Sequence, residues 1–451
     1  MSEIKYRHVF FLGIGGIGMS ALARWLAQDG VQVSGYDRVE TPLTQSLTTE
    51  GIQVYYTENS ECLAGVDLIV YTPAVPSTHL VFELAERLGI PLVKRSGLLG
   101  KIAAGKSCIA VAGTHGKTSV TALLAHILKA TGLDPLAFIG GVLRNYESNL
   151  LNGKGKYLVA EADEFDRSFL ALHPQLAVIT AIDPDHLDIY GDKNSFEEAF
   201  LQFANQVQAE ILIPESLGYF ANSLPDKCWI TYGIDAGEAQ ATHLVHNEGY
   251  NNFDYKFGDY YLSNLQLQIP GRHNVLNAVA AITLSILAGA PMDKIPAALH
   301  SYRGVHRRME VRVQQPGLVY IDDYAHHPRE IQTVLSSVKE WYPEAFIRVA
   351  FQPHLYTRTR DFAQGFSQSL EIADEVFLLD IYPARELPIP GVDAKLIGES
   401  IANTQVHYST LKTLPIEFTQ NLTSPSILLT LGAGDIDTTV SHIQHQLEER
   451  R

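Results

Sequence analysis

The chain has 451 residues, which at roughly 150 residues per domain predicts about three cores rather than one. With 46% hydrophobic and 19% charged residues it carries enough apolar material to bury each core, which excludes a disordered chain or a fibre. Lys and Arg total 34 against 50 for Asp and Glu, a net charge of -16, so the overall field repels polyanions and gives no electrostatic footprint for nucleic acid.

From Tyr6 the pattern is a short apolar run (His8 to Leu12), a glycine turn, an apolar-periodic segment to Gln28 and a strand-like run from Val31 to Tyr36. That is a β-α-β unit. Strand signals return at Asp67 to Tyr71 and Pro91 to Lys94 around the helical pattern VFELAERLG, so a parallel sheet is predicted to close by about Gly105. A fresh cycle opens with the strand CIAVAG, the helix TSVTALLAHILKATG and the strands YLVAEAD and LAVITAI. After the helix NVLNAVAAITLSILAGA the chain restarts with LVYIDDYAHHP, FIRVAFQPH, EVFLLDIY and SILLTLGAGD. The expected class is α/β in three domains: a Rossmann-like domain over 1–105, a P-loop ATPase-type domain over 106–309 and a second Rossmann-like domain over 310–451.

Cys62, Cys108 and Cys228 share no CxxC spacing, which argues against a disulfide framework or a zinc site. The N-terminal apolar run is broken by glycines and lacks a cleavage pattern, and no stretch of 18 apolar residues follows. A cytoplasmic protein without a membrane span is therefore expected.

Two loops carry phosphate-binding chemistry. Gly13-Ile14-Gly15-Gly16-Ile17-Gly18 follows a strand and opens a helix, with Asp37 ending the next strand. Its glycines let backbone N–H groups approach a diphosphate at the helix N-terminus, and the carboxylate suits a ribose hydroxyl. Gly113-Thr114-His115-Gly116-Lys117-Thr118-Ser119 ends like a P-loop, although Val111 stands where the strict pattern has its first glycine. Backbone amides would wrap phosphates, Lys117 would reach the β- and γ-phosphates, and the Thr118 hydroxyl would face Mg²⁺.

Polar groups cluster at strand ends of the same domain: Glu161 with Asp163 and Glu164, then Asp183-Pro184-Asp185-His186-Leu187-Asp188. Mg²⁺ takes one or two protein carboxylates beside phosphates, so Glu161 and His186 are metal candidates, against the plainer reading of solvated caps. Individually weaker are His273-Asn274-Val275-Leu276-Asn277, Arg307-Arg308, Asp322 to His327, and His354 with Arg358 and Arg360. No GxSxG elbow, HExxH or catalytic CxxC is present. A nicotinamide dehydrogenase would use the first loop but leave the GKT loop idle; a nucleotide switch would use the second without needing the first.

Taken in order, GIGGIGMSALA, GTHGKTS, EADEFDRSFL, DPDHLDIYG, HNVLNA, RRME, DDYAHHP, FQPHLYTRTRDF and IYPARELPIPG strongly resemble the Mur ligases over nearly the whole chain, and within them the members that add alanine. The resemblance implies an ATP-dependent, amide-forming ligase of peptidoglycan precursor synthesis, acting on UDP-N-acetylmuramate and L-alanine through an acyl phosphate. It assigns Gly13, Gly15, Gly16, Gly18 and Asp37 to the UDP substrate rather than NAD. Gly113, Thr114, His115, Gly116, Lys117, Thr118, Ser119, Asn274 and Asn277 would meet ATP; Thr118, Glu161 and His186 would serve Mg²⁺, or Mn²⁺. Arg308 and Asp323 would meet ATP after closure at a hinge near Arg307, and His354 and Arg358 the substrate and alanine carboxylates, although Leu355 stands where a basic residue is often found. The implied catalytic set is Lys117, Glu161, His186, Arg308 and Asp323, in a monomer or weak dimer. Later-acting relatives carry a carbamylated lysine soon after the DHxD histidine, whereas this chain has no lysine between Lys193 and Lys227. The proton acceptor for the alanine amine stays open among His326, His327 and His354.

Overall fold

The computed structural model describes residues 6–58, 60–183, 190–247, 250–384 and 386–449. It contains three sheets distributed over two compact units, one formed by 1–244, 253–266 and 276–303, the other by 245–252, 267–275 and 304–451.

The first unit holds one sheet whole and most of a second. A five-stranded parallel sheet runs Gln53–Tyr55, Gln32–Tyr36, His8–Leu12, Leu68–Tyr71, Leu92–Lys94 from edge to edge. Its central strand His8–Leu12 is buried along its whole length, as expected of a parallel strand covered on both faces. The strand order reverses beside that strand, and there the glycine loop and the helix Ile17–Gln28 follow, the switch point at which open α/β sheets bind ligands. The sequence pattern located four of these five strands; Gln53–Tyr55 is three residues long, too short for a period of two to register.

The second sheet has ten strands, with Ser107–Ala112 between Leu176–Ile179 and Tyr157–Ala162 in parallel register. Val111 pairs with Glu161, so the register of two apolar strands sets a carboxylate beside the loop that leaves Ala112. The helix Lys117–Ala130 buries ten consecutive or near-consecutive residues from Thr118 to Leu128. Cys228–Ile234, Ala239–Asn247, Tyr250–Phe257 and Tyr260–Leu267 extend the sheet at one edge. That β-rich extension has no counterpart in the sequence reading. Its strands alternate with threonine, asparagine and tyrosine, a half-exposed pattern that marks an edge and not a core.

The second unit carries a six-stranded sheet in the order Glu310–Gln315, Leu318–Asp323, Ser426–Leu431, Phe346–Phe351, Glu375–Leu378, Gln405–Tyr408. All neighbours are parallel except the first hairpin. The motifs DDYAHHP and FQPH sit where the strands Leu318–Asp323 and Phe346–Phe351 end. Among the described residues no helix is long and apolar enough to cross a membrane.

Candidate active site

In the first unit, the strand Ser107–Ala112 delivers the chain into the GTHGKTS loop. Gly113 adopts φ +128°, and a Cβ there would lie 2.2 Å from Thr180 Oγ1, so only glycine fits. The loop is held from its neighbour strand: Thr180 donates its hydroxyl to the carbonyls of Ala112 (3.1 Å) and His115, Thr114 N donates to Ala181 O (3.0 Å), and Asp183 N donates to Thr114 Oγ1 (3.2 Å). His115 Nε2 lies 3.5 Å from Asp183 Oδ2. Asn277, on the helix Arg272–Leu287, comes against the loop, its Oδ1 2.9 Å from where a Cβ on Gly116 would be.

Lys117 Nζ donates to Gly113 O and to Glu164 Oε2, both at 2.6 Å. The two side chains are only 16% and 4% exposed. Burial alone would push the ammonium down, but Glu164, Asp163 and Glu161 outweigh it and hold Lys117 above the ordinary lysine value. For Glu164 burial pushes the carboxyl up, past what Lys117 restores. Thr118 Oγ1 donates to Glu161 Oε2 at 3.3 Å, and Glu161 Oε1 accepts from Gly140 N at 2.6 Å.

A hydroxyl and one carboxylate fit Mg²⁺, which keeps waters and takes its remaining ligands from phosphate. Among the described residues no three His, Cys, Asp or Glu side chains gather into a metal cage. His186, the third expected ligand, lies outside the described residues.

At the N-terminal glycine loop Gly13 N and Ile14 N donate to Tyr36 O (2.8 and 3.0 Å), and Gly15 N donates to Asp37 Oδ2 at 2.7 Å. A Cβ on Gly15 would sit 2.8 Å from that same oxygen. One oxygen of the Asp37 carboxylate therefore shapes its own loop. Arg95 belongs to none of the sequence motifs. Its Nη2 donates to Asp163 Oδ2 at 3.1 Å, and its Nη1 is 2.9 Å from a Cβ placed on Gly18. The signal available for it was the Lys94-Arg95 doublet where a strand gives way to a helix.

In the second unit, Asp323 is buried and accepts from Met309 N (2.6 Å) and Ala325 N (2.7 Å). Burial raises its carboxyl to about 6 against the opposing pull of Arg308 and these two amides. The Arg308 guanidinium lies 4.9 Å over the Tyr324 ring. Glu310 anchors the same segment, accepting from His306 Nδ1, Arg307 N and Arg312 Nη1; against burial, these bonds hold its carboxyl down at about 2.

The three histidines separate by their partners. His327 caps the helix Pro328–Trp341, accepting from Arg329 N at 3.4 Å. His354 stacks on Tyr382 with centroids 5.7 Å apart. His326 Nδ1 faces the Tyr324 carbonyl at 3.0 Å and the Glu330 carboxylate at 3.4 Å; both can only accept, so Nδ1 carries the hydrogen and Nε2 the lone pair of the neutral ring. Burial lowers its pKa, and Arg358 and Arg308 add to that while Glu330 opposes it. Arg358 lies in the first turn of the helix Tyr356–Leu370, which Leu355 enters at φ +71°. Asn274 donates to Pro270 O at 2.5 Å and is buried.

The sequence matches the Mur ligase family, catalytic domain over residues 8–107, the Mur ligase middle domain over 111–285, and the Mur ligase, glutamate ligase domain over 307–434. The chain belongs to the Mur ligase family. Its members are ATP-dependent, amide-bond-forming enzymes. This Mur ligase is 44% identical to the UDP-N-acetylmuramate–L-alanine ligase of Christiangramia forsetii, with 99% of each chain covered, and 41% identical to that of Porphyromonas gingivalis W83 over 98% and 99%. Among solved structures it is similar to UDP-N-acetylmuramate-alanine ligase of Thermotoga maritima, with TM-score 0.85, 28% identity and 98% and 100% coverage. The murein peptide ligase of Psychrobacter arcticus shares the fold, with TM-score 0.70, 23% identity and 98% of each chain covered.

Proposed function

We propose that this Mur ligase joins L-alanine to the lactyl carboxylate of UDP-N-acetylmuramate at the expense of ATP, in peptidoglycan precursor synthesis in the cytoplasm. The observation that carries the ligase chemistry is the convergence of Lys117, Thr118, Glu161 and Glu164 at one strand-to-helix loop. The choice of alanine is supported by the full-length identity to alanine-adding relatives. Its domains would span 1–105, 106–309 and 310–451, and the protein would act as a monomer or weak dimer.

A carboxylate is a poor electrophile, so its oxygen first attacks the γ-phosphorus of ATP; ADP leaves and an acyl phosphate forms. That step asks for positioning and for neutralisation of spread phosphate charge. The amides of Gly113 to Ser119 and Lys117 Nζ supply these once Lys117 exchanges Glu164 for phosphate. Thr118 and Glu161, with His186, would hold Mg²⁺, which supplies charge neutralisation at the phosphate oxygens; Mn²⁺ has the same oxygen preference. Asn274 and Asn277 would meet the nucleotide, and Arg308, oriented by Asp323 and Tyr324, would add a further positive charge. The neutral alanine amine then attacks the acyl carbon and inorganic phosphate leaves, releasing one proton. His326 is the acceptor best arranged for it: its Nδ1 is fixed, its Nε2 carries the lone pair, and burial keeps it neutral. His354 and Arg358 would hold carboxylate. Gly13, Gly15, Gly16 and Gly18 would take the diphosphate of the substrate, with Asp37 holding their loop.

The test is phosphate release with ATP, Mg²⁺ and UDP-N-acetylmuramate, comparing L-alanine with the tripeptide L-Ala-γ-D-Glu-meso-diaminopimelate. Release with L-alanine and formation of UDP-N-acetylmuramoyl-L-alanine is expected. Release only with the tripeptide would make the chain a murein peptide ligase.

A further inference from the structure

Asp163 and Glu164 are adjacent on the turn that leaves the strand Tyr157–Ala162, yet they hold cations from the starts of two different helices. Glu164 takes Lys117 of the GTHGKTS loop, and Asp163 takes Arg95. Arg95 is 20% exposed and its guanidinium faces two ways: Nη2 on Asp163, and Nη1 beside Gly18 in the first turn of the helix Ile17–Gln28. A planar guanidinium presents its donors as a fixed fork, so one nitrogen can keep a carboxylate while the other meets a second anion.

The segment that follows these two carboxylates is tightly determined. Asp166 and Arg167 both sit at φ 53°, a conformation side-chain-bearing residues adopt at a cost. Several contacts keep them there: Lys94 Nζ bonds Asp166 Oδ2 at 2.8 Å, Tyr190 donates its hydroxyl to Glu164 O, and the Arg167 guanidinium lies 5.2 Å over the Tyr190 ring. Lys94 precedes and Arg95 begins one helix, Arg95–Ala103, whose backbone approaches the end of the segment Phe165–Ala171 closely enough that a Cβ on Gly100 would be 2.5 Å from Ala171 O. The helix carrying Arg95 and the turn carrying Asp163 and Glu164 are therefore packed as one body.

We infer that Arg95 is a positioning residue that couples the two phosphate loops, bridging an anionic group at Gly13–Gly18 to Asp163 and thereby fixing the turn from which Glu164 addresses Lys117. The inference rests on the proposed seat of the nucleotide-sugar diphosphate at that glycine loop. A diphosphate there draws Nη1, orders the fork, and holds the turn in the arrangement that ATP meets. Occupancy of either loop then favours occupancy of the other, and the coupling is reciprocal.

The experiment measures dissociation constants of a non-hydrolysable ATP analogue with Mg²⁺, with and without saturating UDP-N-acetylmuramate, on the full chain. In the unsubstituted protein UDP-N-acetylmuramate is expected to tighten analogue binding by about 5-fold or more, the lower range of typical couplings. In Arg95→Gln and in Asp163→Asn the ratio should fall to within about 2-fold of unity, with Arg95→Lys intermediate because it keeps the charge and loses the fork. Coupling that persists in folded Arg95→Gln or Asp163→Asn overturns the inference. Gly15→Ala separates it from the seat itself: the added methyl should abolish UDP-N-acetylmuramate binding, and unchanged binding would overturn the seat whatever Arg95 does.

Discussion

Removing Lys117 separates a catalytic from a structural effect, because its partner Glu164 is buried. In Lys117→Ala the carboxylate loses its cation and must either stay charged in the interior or take up a proton. Its ordinary value is 4.5 and burial already raises it. The folded state then binds a proton that the unfolded chain releases, so the stability of the variant falls as pH climbs from that ordinary value towards the raised one. At about 1.36 kcal/mol per pH unit, holding the proton costs ~1 kcal/mol at pH 5.5 and ~5 kcal/mol at pH 8, which caps the penalty near the ~3–5 kcal/mol typical of breaking a buried pair. The assay is urea unfolding at both pH values, in a Trp341→Phe background so that Trp25 and Trp229 report the first unit. Lys117→Ala should lose more stability at pH 8 than at pH 5.5, by up to about 3 kcal/mol, and the double variant Lys117→Ala/Glu164→Gln should lose that pH dependence. Neither should recover phosphoryl transfer, expected to fall by about 10²–10³-fold or more for loss of one phosphate-directed donor. Equal destabilisation at the two pH values, or turnover undiminished in Lys117→Ala, would refute the pairing or the role.

Gly113→Ala places a methyl 2.2 Å from Thr180 Oγ1 at φ +128° and should abolish binding of an ATP analogue by calorimetry while the near-ultraviolet circular dichroism of the rest is retained. Glu161→Gln should raise the Mg²⁺ concentration for half-maximal phosphate release by about 10-fold or more; EDTA should abolish release in the unsubstituted protein and Mn²⁺ restore it. Asp323, raised to about 6, destabilises the folded state progressively as pH rises from its ordinary 3.8 through 6. Asp323→Asn should therefore flatten the stability profile in that window, and an unchanged profile would assign the titration elsewhere. His326→Gln should slow consumption of the acyl phosphate by alanine about 10²-fold or more without slowing its formation, read by quenched-flow of ADP against final product.

The strands that position the two loops were legible because a buried parallel strand is a run of apolar residues with glycine or polar residues at its end: His8–Leu12 and Ser107–Ala112 declare themselves. The placement of Gly113 and Lys117 at a strand-to-helix loop was legible for the same reason, since it follows from where the apolar run stops. Partner choice was not legible. Nothing in the spacing says that Asp37 spends an oxygen on Gly15 N, or that Lys117 rests on Glu164 and not on its neighbour Asp163, because those contacts depend on strand register and on the φ 53° turn at Asp166 and Arg167. Arg95 was invisible because its two contacts lie 68 and 77 residues away in the chain. The histidines needed coordinates for a different reason: only hydrogen-bond partners distinguish a helix cap at His327 from a ring held by one nitrogen at His326.

Both glycine loops share a construction detail. A side chain from the end of a neighbouring strand, Asp37 for one loop and Thr180 for the other, grips the loop backbone from behind. Each loop is thus a mould cast before the ligand arrives, with its curvature set by the scaffold. Small anionic fragments should be able to lodge in either mould without remodelling it, and slow amide exchange at Gly15 should already be visible in the ligand-free protein. Discrimination between the moulds then falls to their rims, so compounds meant to choose one loop over the other gain little from better phosphate mimicry and more from reaching Arg95 on one side or Asn277 on the other.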